Sequence, residues 1–175
     1  MTHTIDPFSA ARQDVSFISQ GSRCHGLLTY PDDGSGRVPL VIMAHGFAGT
    51  RELRLMQYAE RFHEAGFATL IFDYRHFGAS EGSPRQLMVP ARQIQDWHAA
   101  LAFARGLPGI DVERLALWGT SFAGGLVLTV AAQDGRVAAT VSQCPMLDGV
   151  AAVTGIIRYA GVRSLARVLW HGVRD

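Results

Sequence analysis

Apolar residues in this chain gather in short unbroken runs rather than in strict alternation with polar ones. Residues 39–44 (PLVIMA), 67–72 (FATLIF) and 114–118 (RLALW) are such runs, each bounded by turn-forming residues. A strand covered on both faces loses its alternation, so each run predicts a buried strand of a parallel sheet. Residues 15–19 and 23–30 predict two strands of an N-terminal hairpin that turns at Gly21-Ser22. Helical spacing takes over in between. Residues 50–65 set Leu55, Tyr58, Ala59 and Phe62 on one side, with Gly66 as the stop. Residues 90–105 carry Ile94, Trp97, Leu101 and Phe103 and end at Gly106. Residues 124–133 are apolar nearly all round and predict a buried helix, followed by a strand at 137–142. The Pro-, Gly- and Asp-rich stretches 31–37 and 73–86 are loops.

Strand and helix thus alternate from residue 39 to about 144. That order predicts an α/β fold: a mostly parallel sheet with helices on both faces, preceded by an antiparallel hairpin. Ligands of such sheets bind beyond the carboxyl ends of the strands. The loops after residues 44, 72 and 118 should therefore meet at one edge. Three regions are expected: an N-terminal arm at 1–14, the α/β core at 15–149, and a helical segment at 150–175 that reads as the start of a lid. In that last segment Ile157, Leu165, Val168 and Leu169 share one side of a helical wheel, and Arg163, Arg167 and Arg174 the other.

Composition narrows the picture by exclusion. The chain has 175 residues, 48% of them hydrophobic and 18% charged, with a formal net charge of +1. One domain with a sizeable core is expected. The balanced charge and the lack of a basic, aromatic-interleaved stretch speak against nucleic acid as a partner. All 16 basic residues are arginine, which reads as a bias of composition rather than of function. Cys24 and Cys144 lack metal-ligand spacing and are expected to be buried free thiols, with a disulfide left open. No His/Asp/Cys cluster suggests a metal, and neither a G-x-G-x-x-G nor a G-K-[ST] pattern suggests a nucleotide, so no cofactor is expected. No apolar run reaches the roughly 18 residues of a membrane span, and the polar start does not resemble a signal peptide, so a cytoplasmic protein is expected.

The chemistry centres on Gly119-Thr120-Ser121-Phe122-Ala123, where a predicted strand gives way to a predicted helix. A serine at a sharp strand-to-helix turn is lifted above the sheet, and the residues two before and two after it must be small because strand and helix crowd there. Gly119 and Ala123 meet that need. The same pentapeptide also suits a core helix with a capping serine. Two further loops join it. His45-Gly46-Phe47-Ala48-Gly49 follows the first buried strand, and Asp73-Tyr74-Arg75-His76-Phe77-Gly78-Ala79-Ser80 follows the second. Acyl transfer needs two backbone N–H donors aimed at the developing oxyanion. Phe122, directly after the serine, and Phe47, after the His-Gly pair, are the natural donors. His45 with Gly46, and Asp73 with Arg75, read as supports of these loops; His76 reads as a solvated loop histidine or a residue of the pocket mouth.

These three motifs in this order resemble the α/β-hydrolase superfamily over roughly residues 15–150. The likeness is nearest to the serine esterase and peptidase-like branch, similar to dienelactone-hydrolase and prolyl-oligopeptidase-type catalytic domains. His76 stands where glycine is usual, and Ala123 where the elbow has its second glycine. The resemblance implies a serine hydrolase that acts on a small-molecule carboxylic ester, thioester or amide through an acyl-enzyme on Ser121. It also implies an acid and then a histidine downstream. Past Ser121 the chain offers Asp134, Asp148 and Asp175 as acids and His171 as histidine. Asp134 lies in an Asp-Gly turn, and Asp148, just beyond the sixth strand, is either the orienting acid or a loop cap. The chain reads as stopping before the last two strands, with the triad histidine absent. Two readings follow: a serine hydrolase, or a catalytically defective hydrolase-like binding or assembly module. An exposed sheet edge or lid face makes a second copy of the chain a further candidate partner.

Overall fold

The computed structural model describes residues 12–31 and 36–172, apart from the side chains of residues 156, 165, 168, 169, 171 and 172. The chain divides into two units, Met1–Pro145 and Met146–Asp175. The arm expected at 1–14 lies outside the described residues up to residue 11, and Arg12 already belongs to the first strand.

The described residues of the first unit form one six-stranded sheet and three helices. Strands β1 (Arg12–Ser19) and β2 (Ser22–Thr29) form the hairpin, and β3 (Val38–Ala44), β4 (Ala68–Phe72), β5 (Ile110–Thr120) and β6 (Ala139–Gln143) complete the sheet. The order is β1-β2-β4-β3-β5-β6. β1 and β2 pair antiparallel, β2 joins β4 antiparallel, and β4, β3, β5 and β6 run parallel. The helices are α1 (Leu55–Glu64), α2 (Pro90–Arg105) and α3 (Phe122–Asp134). This is the α/β fold that the alternation of runs predicts.

Alternate strand residues face opposite layers. Val41, Met43, Ile71 and Trp118 pack under Leu55 and Ala59 of α1. On the other side α2 and α3 lie together, and Phe72 meets the α2 ring of Trp97 edge-on at 5.1 Å. Leu40, Ile42, Leu70, Phe72, Leu115 and Leu117 are all fully buried. Burial of each such side chain is worth about 1.5–3 kcal/mol, so the parallel strands supply the rigid frame of the molecule.

Local competition moves several boundaries. The hairpin turns at Gln20 and Gly21, both at positive φ, one residue earlier than predicted, because Ser19 pairs with Ser22. α1 begins at Leu55 rather than at residue 50. The N–H of Arg51 is drawn instead to the Asp73 carboxylate at 2.7 Å, and Arg54 stands at φ 59. β5 begins four residues before the predicted 114, at Ile110 opposite Val38, where the charged Asp111, Glu113 and Arg114 hide the strand signal. Cys24 is buried, but Cys144 is exposed, at φ 44 just after β6; both are free thiols. Burial pushes the Cys24 thiol up to about 12, which leaves it inert.

In the second unit the expected lid segment is two helices, α4 (Gly149–Ala160) and α5 (Val162–Gly172), which contact each other. Gly161, at φ 78, breaks the run. Asp148 caps α4: its Oδ1 accepts the N–H groups of Val150 at 2.7 Å and Ala151 at 3.1 Å. The wheel positions of Leu165, Val168 and Leu169 and the side chain of His171 lie outside the described residues, as does Arg174.

Candidate active site

Ser121 stands between β5 and α3 with φ 56 and ψ −119, a conformation that costs a non-glycine residue about 1–3 kcal/mol. Its N–H donates to the Gln143 carbonyl at 2.9 Å, and its own carbonyl accepts from the Gly125 N–H at 3.3 Å. The sheet and the helix thus hold the strained turn from both sides. The side chain makes no capping bond to α3, and the residue is exposed. A hydroxyl at a helix start normally accepts an orphan N–H; this one is left free.

The crowding around the turn explains its small residues. A Cβ on Gly119 would lie 2.5 Å from the Ala123 carbonyl oxygen and 2.9 Å from the Gly124 nitrogen. On Gly124 it would lie 3.1 Å from the Gln143 carbonyl oxygen. Ala123 carries its methyl fully buried and unopposed. The tight positions here are 119 and 124, so alanine two residues after the serine fits.

The loop after β3 meets this turn. A Cβ on Gly46 would stand 3.3 Å from the Ser121 Cβ and 3.9 Å from its Oγ, so the Gly46 backbone lies against the serine. Among the described residues no acceptor takes the N–H of Phe47 or Phe122. The Phe47 and Phe122 rings meet edge-to-face at 6.2 Å. Backbone N–H groups without acceptors at a helix start can serve an anion.

Beneath the loop, His45 is buried against Tyr74 and Phe77, with ring centroids at 4.7 and 5.5 Å. Its Nδ1 donates to the Gly46 carbonyl at 3.0 Å, since a carbonyl only accepts. Its Nε2 lies 4.0 Å from Asp73 Oδ1. Burial holds the imidazole below its ordinary pKa, against the pull of Gly46 and Asp73, so it stays neutral. Asp73 takes the N–H of Arg51 at 2.7 Å and of Ala79 at 3.2 Å, which ties the loop after β3 to the loop after β4. Gly78 sits where any side chain would overlap this carboxylate.

Arg75 points away from the serine loop and into α2. Its Nε donates to Asp96 Oδ1 at 2.6 Å, its N–H to Asp96 Oδ2 at 3.0 Å, and its Nη2 to the Arg92 carbonyl at 2.7 Å. Burial pushes the Asp96 carboxyl up against the pull of Arg75. His76 is buried rather than solvated: Nδ1 lies 2.8 Å from the Pro84 carbonyl oxygen and Nε2 3.4 Å from Arg92 Nη1. Asp134 does more than turn the chain, for it pairs both oxygens with Arg105 of α2, at 2.6 and 2.9 Å. Sequence reasoning missed Asp96 and Gln143. Asp96 left one signal, a charged residue within the buried stripe Gln93, Asp96, Trp97, Ala100 and Leu101 of α2. Gln143 acts through its carbonyl and left none.

The structure therefore brings Ser121, Phe122, Gly46 and Phe47 together, sets His45 and Asp73 behind them, and engages Asp148 as a helix cap. Among the described residues no group of three or more His, Cys, Asp or Glu is placed to hold a metal, and no helix is long and apolar enough to cross a membrane.

Known proteins place this geometry. The chain is 48% identical over 149 residues to the quorum-quenching protein AidA of Acinetobacter baumannii, spanning 85% of this chain and 49% of that protein. It is 39% identical over 136 residues to the thiohydrolase aneE of Aspergillus aculeatus, spanning 77% of this chain and 42% of that protein. The crystal structure of the α/β hydrolase GrgF from Penicillium sp. sh18 superposes with a TM-score of 0.74 at 32% identity, over 90% of this chain and 55% of that one. The chain spans about half the length of the curated relatives it matches. The model of the X-Pro dipeptidyl-peptidase (S15) family matches residues 20–171. With this sheet order and this serine turn, the chain belongs to that family and has the α/β-hydrolase fold.

Proposed function

We propose that Ser121 is the nucleophile of an acyl transfer and that the chain carries the nucleophile of a serine hydrolase acting on a small carboxylic ester or thioester. One observation carries the reading: a strained, exposed serine whose hydroxyl caps nothing stands against the Gly46 backbone, next to two N–H groups without acceptors. Ser121 Oγ attacks the carbonyl carbon and passes its proton to a base. The N–H groups of Phe47 and Phe122 hold the oxyanion. Collapse expels the alcohol or thiol with that proton, and water then releases the acid from Ser121. His45 does not serve as the base, since the ring is buried behind the loop and its Nε2, the nitrogen without a proton, is itself buried and faces Asp73 at 4.0 Å. The reading asks for a histidine and an orienting carboxylate besides the residues above. Past β6 the sequence offers His171 as a histidine and Asp148 and Asp175 as carboxylates. The name thiohydrolase, borne by the Aspergillus relative, favours including thioesters. The test is covalent labelling by a fluorophosphonate, followed by peptide mapping. Labelling on Ser121 that vanishes in Ser121→Ala is expected. Labelling elsewhere, or its persistence in Ser121→Ala, would sink the reading and leave the hydrolase-like binding module.

A further inference from the structure

Two phenylalanines flank the serine, and the role of their backbones does not explain their side chains. Every residue but proline has an N–H, so holding an oxyanion asks nothing of the group at position 47. Yet Phe47 is a large apolar residue left 64% exposed, and Leu53, a few residues on, is also 64% exposed. Leu53 folds back over the same loop, for its Cδ1 lies 2.9 Å from where a Cβ on Gly49 would stand. The Phe122 ring is buried and meets Phe47 edge-to-face at 6.2 Å, which fixes one edge of Phe47 and leaves the rest open. Of the two arginines of this loop, Arg51 is turned elsewhere: it lies 3.7 Å from Asp14 and 3.6 Å from Asp73. An apolar surface kept wet beside a reactive group is held for an apolar ligand.

We propose that Phe47, backed by Phe122 and continued by Leu53, is a specificity-determining residue whose ring lines the acyl side of the site and selects acyl groups with an apolar chain over acetyl. The inference rests on the serine-hydrolase reading and goes beyond it by naming the acyl class. An acyl group stays one bond from Ser121 through both half-reactions, whereas the alcohol or thiol leaves after the first. A wall built on the residue after the serine and the facing loop therefore stays beside the acyl group throughout. A hydrophobic pocket separates substrates that differ by even one methylene by roughly 10–200-fold.

The experiment uses the full chain and two phosphonates, p-nitrophenyl methylphosphonate and p-nitrophenyl octylphosphonate. In each, Ser121 Oγ forms the bond to phosphorus, p-nitrophenolate leaves, and the hydroxyl proton passes to the buffer. The alkyl group stands where the acyl chain would. The readout is the ratio of the octyl to the methyl rate, measured by intact mass with the site mapped to Ser121. This ratio cancels any change in the step common to both. The wild-type ratio should exceed one. Phe47→Ala should lower it about tenfold and Phe47→Leu should restore most of it. Phe47 is exposed, so both variants should melt like the wild type, which is checked alongside. Modification of Ser121 with a ratio unchanged in Phe47→Ala overturns the selectivity and leaves the hydrolase reading intact. Failure of both phosphonates to modify Ser121 overturns the hydrolase reading and the selectivity with it.

Discussion

Two helices of this molecule start at a polar residue and use it in opposite ways. Asp148 opens α4 in an extended conformation, φ −143 and ψ 118, and gives its carboxylate to two N–H groups of the first turn. Ser121 opens α3 at φ 56 and ψ −119 and gives its hydroxyl to nothing in the helix. The first arrangement is the ordinary one, in which a side chain satisfies orphan donors and steadies the helix by about 1 kcal/mol. The second forgoes that bond and carries about 1–3 kcal/mol of backbone strain besides. The surroundings hold it there: Gln143 takes the serine N–H, and Gly119 and Gly124 let strand and helix close around the turn. A helix start that costs stability and keeps its hydroxyl open is where chemistry is to be sought.

Removal of the two side chains breaks the comparison at its sharpest point. Ser121→Ala should lower esterase activity by a factor on the order of 10³ or more, because the nucleophile acts as a unit with its base. It should leave the melting temperature unchanged, since the hydroxyl caps no N–H. A clear drop in melting temperature would show that Ser121 is a cap like Asp148. Gly119→Ala comes next in size. Its methyl would press on the Ala123 backbone, where nothing flexible can give way, so a loss of about 3 kcal/mol is expected in urea unfolding. The reverse change, Ala123→Gly, should cost less, about 1 kcal/mol, because it removes one buried methyl and frees the helix backbone.

The frame of this fold was legible because it rests on period and composition. Apolar runs such as PLVIMA are buried strands, and Pro90–Arg105 agrees at both ends with the helix that the spacing predicts. The serine turn was legible because crowding leaves few residue types for it. Other parts depend on partners distant in sequence. Arg75 reads as a loop residue until Asp96, on the buried face of α2, is seen to take it. The start of α1 moves because Asp73 claims the Arg51 N–H. The strand before Ser121 reaches back to Ile110 because Val38 pairs with it there and Arg114 donates to the Arg37 carbonyl at 3.0 Å. No local pattern reports such competition between a backbone N–H and a distant carboxylate.

Asp148 sharpens the comparison from the other side. Asp148→Ala should weaken the start of α4 by about 1 kcal/mol, seen as faster amide exchange at Val150 and Ala151. Asp148→Asn keeps a capping oxygen and should behave like the wild type in exchange. If Asp148 also orients a catalytic histidine, the same Asn variant should lose activity by orders of magnitude with its helix intact. Unchanged activity would make Asp148 a cap alone.

The smallest effect belongs to His45, behind the loop after β3. His45 has its pKa lowered by burial from the 6.5 of a free imidazole. A base whose folded pKa is depressed binds fewer protons folded than unfolded, so stability rises with pH wherever only the unfolded chain is protonated. The contribution of His45 is therefore fully present above 6.5 and is lost as pH falls below it toward the depressed value. Urea unfolding at about pH 7.5 and about pH 5.5 should show the loss, on the acid side only. His45→Gln removes the titrating group, so the difference in pH dependence between variant and wild type isolates this histidine from the buried Asp96, whose raised carboxyl works in the opposite direction. Equal pH dependence in the two proteins would mean that His45 keeps an ordinary pKa and that the loop behind Ser121 is wetter than the buried ring implies.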